Sequence, residues 1–273
     1  MRSIWRSAPG SVRWMAPPHP TGRALRLGAS LAAVGALGAS CSSASSSPSG
    51  ASIPAALSGS PSHALTVSLE AAIHQGRVVA TSPWRQGHAR GLYITASNPT
   101  GGDQIITEGR GASTIVLDGS ALYLKANALG MTQQLQATDP LLVGRWISIA
   151  TTDAPYATVA AGITIAAQLN ETYPAMGRAD VEKVVEVDGV HVLQIRGPVA
   201  GSIGANGTTT IDLSLTAPYL PIRSVTVTHG SGGTLVSTTR FSRWGKRQPT
   251  PQPTHAIAYS STALDTTQVP VTV

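Results

Sequence analysis

The sequence predicts an α+β fold, one long curved antiparallel sheet with helices covering a single face. Three observations carry this. Strand-like runs separated by turn residues fill the first part of the chain, a helical and loop-like stretch follows from Ala126 to Asn170, and strands then resume up to Ser242. Asp118-Gly119 separates two β-rich runs, which is a strong hairpin signal. Threonine and valine are frequent in the second half, and both favour strands.

Taken in order, Leu65, Leu69, Ala72 and Ile73 fall at helical spacing and Gly76 is a stop, so residues 65–75 read as a short amphipathic helix. Strands are predicted at Val78–Thr81, Ala89–Ala96, Gln104–Glu108, Ser113–Leu117 and Ala121–Lys125, with a turn at Asn98-Pro99-Thr100-Gly101-Gly102. Helix candidates follow around Leu129, Gln133 and Gln136, then at Tyr156–Ala161 and Ile163–Leu169, with a short strand at Gly144–Ile149. The second strand set is Asp180–Val187, Val190–Arg196, Thr208–Thr216, Ile222–Thr228 and Thr234–Ser242, with a turn at Asp188-Gly189. Leu220-Pro221 reads as the start of an edge strand, because proline cannot donate to a ladder. Beyond Pro249 the chain is Pro- and Thr-rich and is expected to trail off.

Ahead of this body lies a targeting segment. Leu31 to Cys41, LAAVGALGASC, is apolar, ends in small residues and holds the only cysteine of the chain. Arg23 and Arg26 precede it, so it reads as a cleaved secretory signal, too short to span a bilayer, which takes about 20 apolar residues. Met15 would give a more usual start than the Trp- and Pro-bearing residues before it. Leu37-Gly38-Ala39-Ser40-Cys41 resembles a bacterial lipobox, in which the thiol receives diacylglycerol and the peptidase cuts before the cysteine. The favoured leucine stands one place early, at Leu37. The other reading is an ordinary secreted chain cut near Ala39; the absence of a second cysteine argues against it. On the first reading the mature chain is exported and anchored to the outer face of the cell membrane by acyl chains, each buried CH₂ contributing about 0.8 kcal/mol. Residues 42–60 are Ser, Ala, Pro and Gly with few apolar side chains, a flexible tether. The expected division is a signal at 1–40, lipidated Cys41 and tether at 41–62, a folded domain at 63–255 and a tail at 256–273.

The formal net charge of +6 is largely a property of the signal. Residues 1–40 hold five arginines and no acid, which leaves 14 basic against 13 acidic residues in the remainder. Such a body has no general attraction for nucleic acid. The residues after Cys41 suffice for one good-sized domain, with no disulfide available to support its core.

Several short stretches then occur together and in order: Cys41 in its lipobox, Leu122-Tyr123-Leu124-Lys125, Gly144-Arg145-Trp146-Ile147, Tyr219-Leu220-Pro221-Ile222-Arg223, and Phe241-Ser242-Arg243-Trp244-Gly245-Lys246. Over about residues 63–255 the chain resembles, at a distance, actinobacterial lipoproteins of the LppX, LprA, LprF and LprG kind, which share the fold of the lipoprotein carrier LolA. The resemblance implies a half-barrel sheet closed by helices around an apolar cavity that holds the acyl chains of a lipid or lipoglycan. A sheet curved around helices with medium-sized apolar side chains leaves space between layers, and ligand pockets are mostly apolar. Leu122, Leu124, Leu129, Leu135, Leu142, Val159, Ile163 and Leu169 are the expected lining; the same residues would equally fill a closed core. Trp146 and Trp244, each after an arginine and beside glycine, either pin strand ends to the core or sit at a cavity mouth or membrane surface.

Catalysis finds little support. The seven histidines show no close pair at metal-ligand spacing, and the chain has no HExxH, G-x-S-x-G or S-x-x-K. The Gly-rich run Gly201–Gly207 lies between strands rather than before a helix, so a hairpin loop is expected there, not a phosphate cradle. The expectation is a non-enzymatic protein without cofactor or metal.

Overall fold

The computed structural model describes residues 51–200, 206–251 and 253–262. Cys41, the signal and residues 42–50 of the tether lie outside these residues, as do residues 201–205 of the glycine-rich run.

The body opens with a short 3-10 turn at Ala55–Leu57, and Leu57 is already buried in the core, inside the segment expected to be tether. Helix α1 runs from Pro61 to Gln75. Its start is set by Ser60, whose side chain accepts from the His63 N–H, with proline in the first turn, and its end by Gly76 in the left-handed region. It therefore begins four residues before the predicted boundary. Ala64, Leu65, Ser68 and Ala72 form its buried face, whereas Ile73 is exposed.

The strands are β1 (Val78–Gln86), β2 (Ala89–Ser97), β3 (Gly101–Glu108), β4 (Gly111–Asp118), β5 (Ala121–Ala126), β6 (Ile147–Ile149), β7 (Asp180–Val187), β8 (Val190–Pro198), β9 (Asn206–Ser214), β10 (Pro221–Gly230), β11 (Gly233–Ser242) and β12 (Ile257–Ala258). All belong to one open sheet in the order β12-β6-β5-β4-β3-β2-β1-β11-β10-β9-β8-β7. Two antiparallel meanders thus meet where β1 pairs with β11. Between them lie α2 (Ala128–Leu135), α3 (Tyr156–Val159) and α4 (Ile165–Thr172).

Three sequence expectations need correction. The sheet is not wholly antiparallel: β12 pairs parallel with β6 at one edge. The chain does not trail off at Pro249, since it runs on to add that strand and to bury Tyr259 against the β3–β6 core. Nor does Pro221 start an edge strand. β10 is interior, and Pro221 is tolerated as its first residue beside a register shift to β9. A proline also explains why β1 was expected to end early. β1 continues past Pro83, but its pairing with β11 is interrupted between Thr81 and Trp84, where proline offers no N–H.

Helices cover one face. The register places Val78, Ala80, Phe241, Ile211, Leu213, Leu193 and Ile195 on the same side of the sheet as Ile106, Ile115, Leu117, Leu122, Leu124, Ile147 and Ile149. The first group packs with α1 and α4 through Leu65, Ile165, Leu169 and Tyr173. The second packs beneath the segment bearing α2 and α3 through Met131, Leu142, Val159 and Ile163. The sheet thus carries two apolar cores, one at each end of its inner face.

Candidate functional site

Between the two cores the inner face turns polar. Ser82 and Thr239 share a hydrogen bond of 2.9 Å across β1 and β11, Gln104 donates to Thr95 over 3.0 Å, and Thr209 and Thr226 meet at 3.2 Å. The Ser224 hydroxyl donates to the Thr172 carbonyl over 2.6 Å, tying β10 to the end of α4. Ser68 of α1 and Tyr173 bond at 2.9 Å beneath it, and burial raises the Tyr173 phenol far above its ordinary range. Single-residue alternation within strands puts these hydroxyls on the inner face. The sequence showed them only as generic β-formers.

At one end of this seam stand four groups that sequence reasoning missed. Trp84 lies across the strand pair over Gly91, where a Cβ would fall 2.5 Å from the indole nitrogen. The ring covers backbone that glycine leaves bare. Its neighbour Tyr93 stacks on it with ring centroids 6.5 Å apart, and the indole Nε1 is buried. Burial, followed by the charge of Glu108 and a smaller effect of Glu171, pushes the Tyr93 phenol up to about 12. Burial likewise raises Glu108. Glu171, on α4 beside the close turn at Gly162, is pushed by burial up to about 7 from its ordinary 4.5.

The consequence for stability has a definite sign. A carboxyl whose folded value is raised binds its proton more tightly in the native state, so stability is fully present below about pH 4.5 and falls as pH rises to about 7. The loss has a ceiling of about 3 kcal/mol. Glu171→Gln should therefore be more stable than the parent at pH 8 and equal to it at pH 4, read by urea melts at both values. Equal stability of the two chains at pH 8 would show that the carboxylate is not desolvated.

The expected lining residues divide among three situations. Leu122, Leu124, Leu142, Val159 and Ile163 gather in the β3–β6 core, with Leu135 partly buried against it. Leu169 belongs to the other core, under α1 and α4. Leu129 faces outward, 45% exposed on α2. Two depressions stand out among the described residues. One, of about 210 Å³, is open and lies along the β5–β6 edge, lined by Leu122, Tyr123, Ile149, Asp153, Ala258 and Ser260 among others. The second, of about 20 Å³, lies where the segment after β11 crosses the outer face, with Ser97, Asp103, Lys246 and Thr250 at its wall. Burial raises the Asp103 carboxyl, whose Oδ1, like the Ser97 hydroxyl, has no partner. A space of that size and polarity fits one water.

Among the described residues no group of three His, Asp or Glu side chains is placed to hold a metal, and no helix is long and apolar enough to cross a membrane.

No protein-family model matches the chain, and no curated protein does. Among solved structures, the chain is similar to an outer-membrane lipoprotein-sorting protein domain from Vibrio parahaemolyticus, at 14% identity and a TM-score of 0.26, over 66% of this chain and 92% of that one.

Proposed function

We infer that this chain is a non-enzymatic lipoprotein of the cell envelope that binds an amphiphile, a lipid or lipoglycan, on the inner face of its sheet. Export and acyl anchoring at Cys41 and kinship with the LppX, LprA, LprF and LprG lipoproteins belong to this reading. They rest on the residues of the lipobox and on the ordered motifs. The observation that carries the binding is the division of the inner face. An apolar floor of Ile115, Leu124, Ile147 and Ile149 adjoins a polar seam of hydroxyls that ends at Trp84, Tyr93, Glu108 and Glu171. An amphiphile needs both surfaces side by side. The cover over the apolar floor is made of an eight-residue and a four-residue helix joined by turns. Short elements such as these open at lower cost than the sheet beneath them. Acyl chains would take the places of Met131, Leu142 and Val159 as the cover lifts, and a hydroxylated head group would meet the seam.

A second reading is favoured by one measurement. The larger depression, about 210 Å³, is smaller than typical ligand pockets of roughly 300–1,000 Å³. It makes the body a non-catalytic interaction module with a closed core. Mass spectrometry of organic-soluble material carried by the full chain from an actinobacterial host separates the two. A lipid at near one-to-one stoichiometry is expected. A bare protein that also leaves a fluorescent fatty-acyl probe unbound would establish the closed-core reading.

A further inference from the structure

The loop after α2 places apolar side chains where a soluble surface has no use for them. In Asp139-Pro140-Leu141-Leu142-Val143-Gly144-Arg145-Trp146, Leu142 is buried in the β3–β6 core and acts as the peg. Its two neighbours point away from it: Leu141 is 79% exposed and Val143 38%. Single exposed leucines are ordinary, but these are joined by Leu129, 45% exposed on the first turn of α2. The backbone brings the three together, because the Gly144 N–H donates to the Ala126 carbonyl over 2.8 Å, two residues ahead of α2.

The tip is also held rigidly. The Leu142 N–H donates to the Asp139 carbonyl and the Arg145 N–H to the Leu142 carbonyl, both over 3.0 Å. The Asp139 carboxylate accepts from the Leu141 N–H at 2.9 Å. Around this tip three cations stand against the one acid of the loop, Asp139. Arg145 and Lys125 are exposed, and the Lys125 ammonium lies over the Trp146 ring, 5.9 Å from its centroid. Arg110 is exposed at the same end, its carbonyl accepting from Asn127 just before α2. None of the three cations is in an ion pair among the described residues. Asp139, the acid within the loop, has one carboxylate oxygen engaged by the loop's own backbone.

We propose that the 139–146 loop and the first turn of α2 form a membrane-docking tip that inserts Leu141, Val143 and Leu129 into the interface of an anionic bilayer. The charge pattern selects this occupant. Exposed cations that form no ion pair among the described residues, set around an apolar tip, complement an anionic lipid surface, where each contributes attraction that salt screens. Tryptophan beside them suits the interfacial layer, apolar on one side and wet on the other. The tip acts independently of acylation at Cys41 and of any ligand on the inner face. It fixes which end of the domain meets the membrane.

The test uses the full chain with Cys41→Ser, so that a single engineered cysteine carries an environment-sensitive fluorophore. It is placed at Leu141→Cys, Leu129→Cys or, as a control, Val190→Cys at the far β7–β8 turn. With vesicles containing phosphatidylglycerol, the labels at 141 and 129 should shift to the blue and be quenched by acyl-chain nitroxides, while the label at 190 does neither. Vesicles of phosphatidylcholine alone, or Arg145→Glu, should weaken this docking about tenfold. Val143→Asp should abolish the shift at 141 without changing the melting temperature, since the residue is on the surface. No shift at 141 with either lipid, or an equal shift at 190, would overturn the docking tip, even where the unprocessed signal carries the chain to the vesicle.

Discussion

Gly130→Ala should destabilise the domain by more than 1 kcal/mol, although helix propensity alone expects a gain of about 1 kcal/mol for the same change. Gly130 sits within α2 where the helix lies against β4. A Cβ there would fall 2.4 Å from the Ala112 carbonyl oxygen and 2.7 Å from the Ser113 hydroxyl. The first is backbone within a strand and cannot rotate aside, so the helix must lift. Asn127 opposes the lift. Its side chain accepts from the Gly130 and Ala112 N–H groups at 2.8 and 3.1 Å and donates to the Arg110 carbonyl at 2.8 Å. Gly130→Val should break that arrangement, costing about 3 to 4 kcal/mol as overpacking adds to the exposure of fully buried Met131. Urea melts give both values. If lifting this cover is how an amphiphile enters, Gly130→Val should also take up a fluorescent acyl probe faster than the parent. A rise in stability for Gly130→Ala would show that the close approach of helix and strand is not there.

Much of the architecture was legible because it is written in local chemistry. Asp118-Gly119 and Asp188-Gly189 close the β4–β5 and β7–β8 hairpins, with glycine in the left-handed region each time. The order of strands, short helices and strands already implied a sheet covered on one side. What stayed hidden depended on partners far away in sequence. β1 was cut short at Pro83 because a proline in a central strand reads as a stop, and only the interrupted β11 ladder shows how it is accommodated. β12 could not be foreseen from two residues in a Pro-rich stretch; Ile257 and Ala258 become a strand only because the β6 edge is waiting for them. The candidate site divides the same way. Apolar positions in the central segment identified the β3–β6 core, but Leu129 and Leu169 share its spacing and belong elsewhere, one to the surface and one to the second core. Trp84, Tyr93, Glu108 and Glu171 are scattered over nearly ninety residues, so nothing in their spacing announces that β1–β3 and α4 bring them together.

The largest loss on the outer face is expected from Arg223→Ala. Asp212 of β9 is fully buried, and its two carboxylate oxygens are shared between neighbouring strands. Gln194 of β8 donates to one oxygen over 2.8 Å, and the Arg223 Nε of β10 to the other over 2.7 Å. Removing the arginine leaves a buried carboxylate with one amide for compensation, which costs about 3 to 5 kcal/mol. The cross-strand neighbour of Arg223, Arg240, is already engaged by Asp188, whose carboxyl it holds below the usual range. Asp212→Ala should cost less, about 2 kcal/mol, because the arginine side chain is 24% exposed and can turn its charge to water. The pair is thus asymmetric: the buried partner is the one that cannot be left alone. Replacing both, as Asp212→Leu with Arg223→Met, should recover most of the stability, since a buried pair gains little over a well-packed apolar one. Urea melts of the three variants read this directly. Equal losses for the two single changes, or a double variant as unstable as Arg223→Ala, would mean that desolvation of Asp212 is not what the pair offsets, and that the strands depend on the ion pair itself.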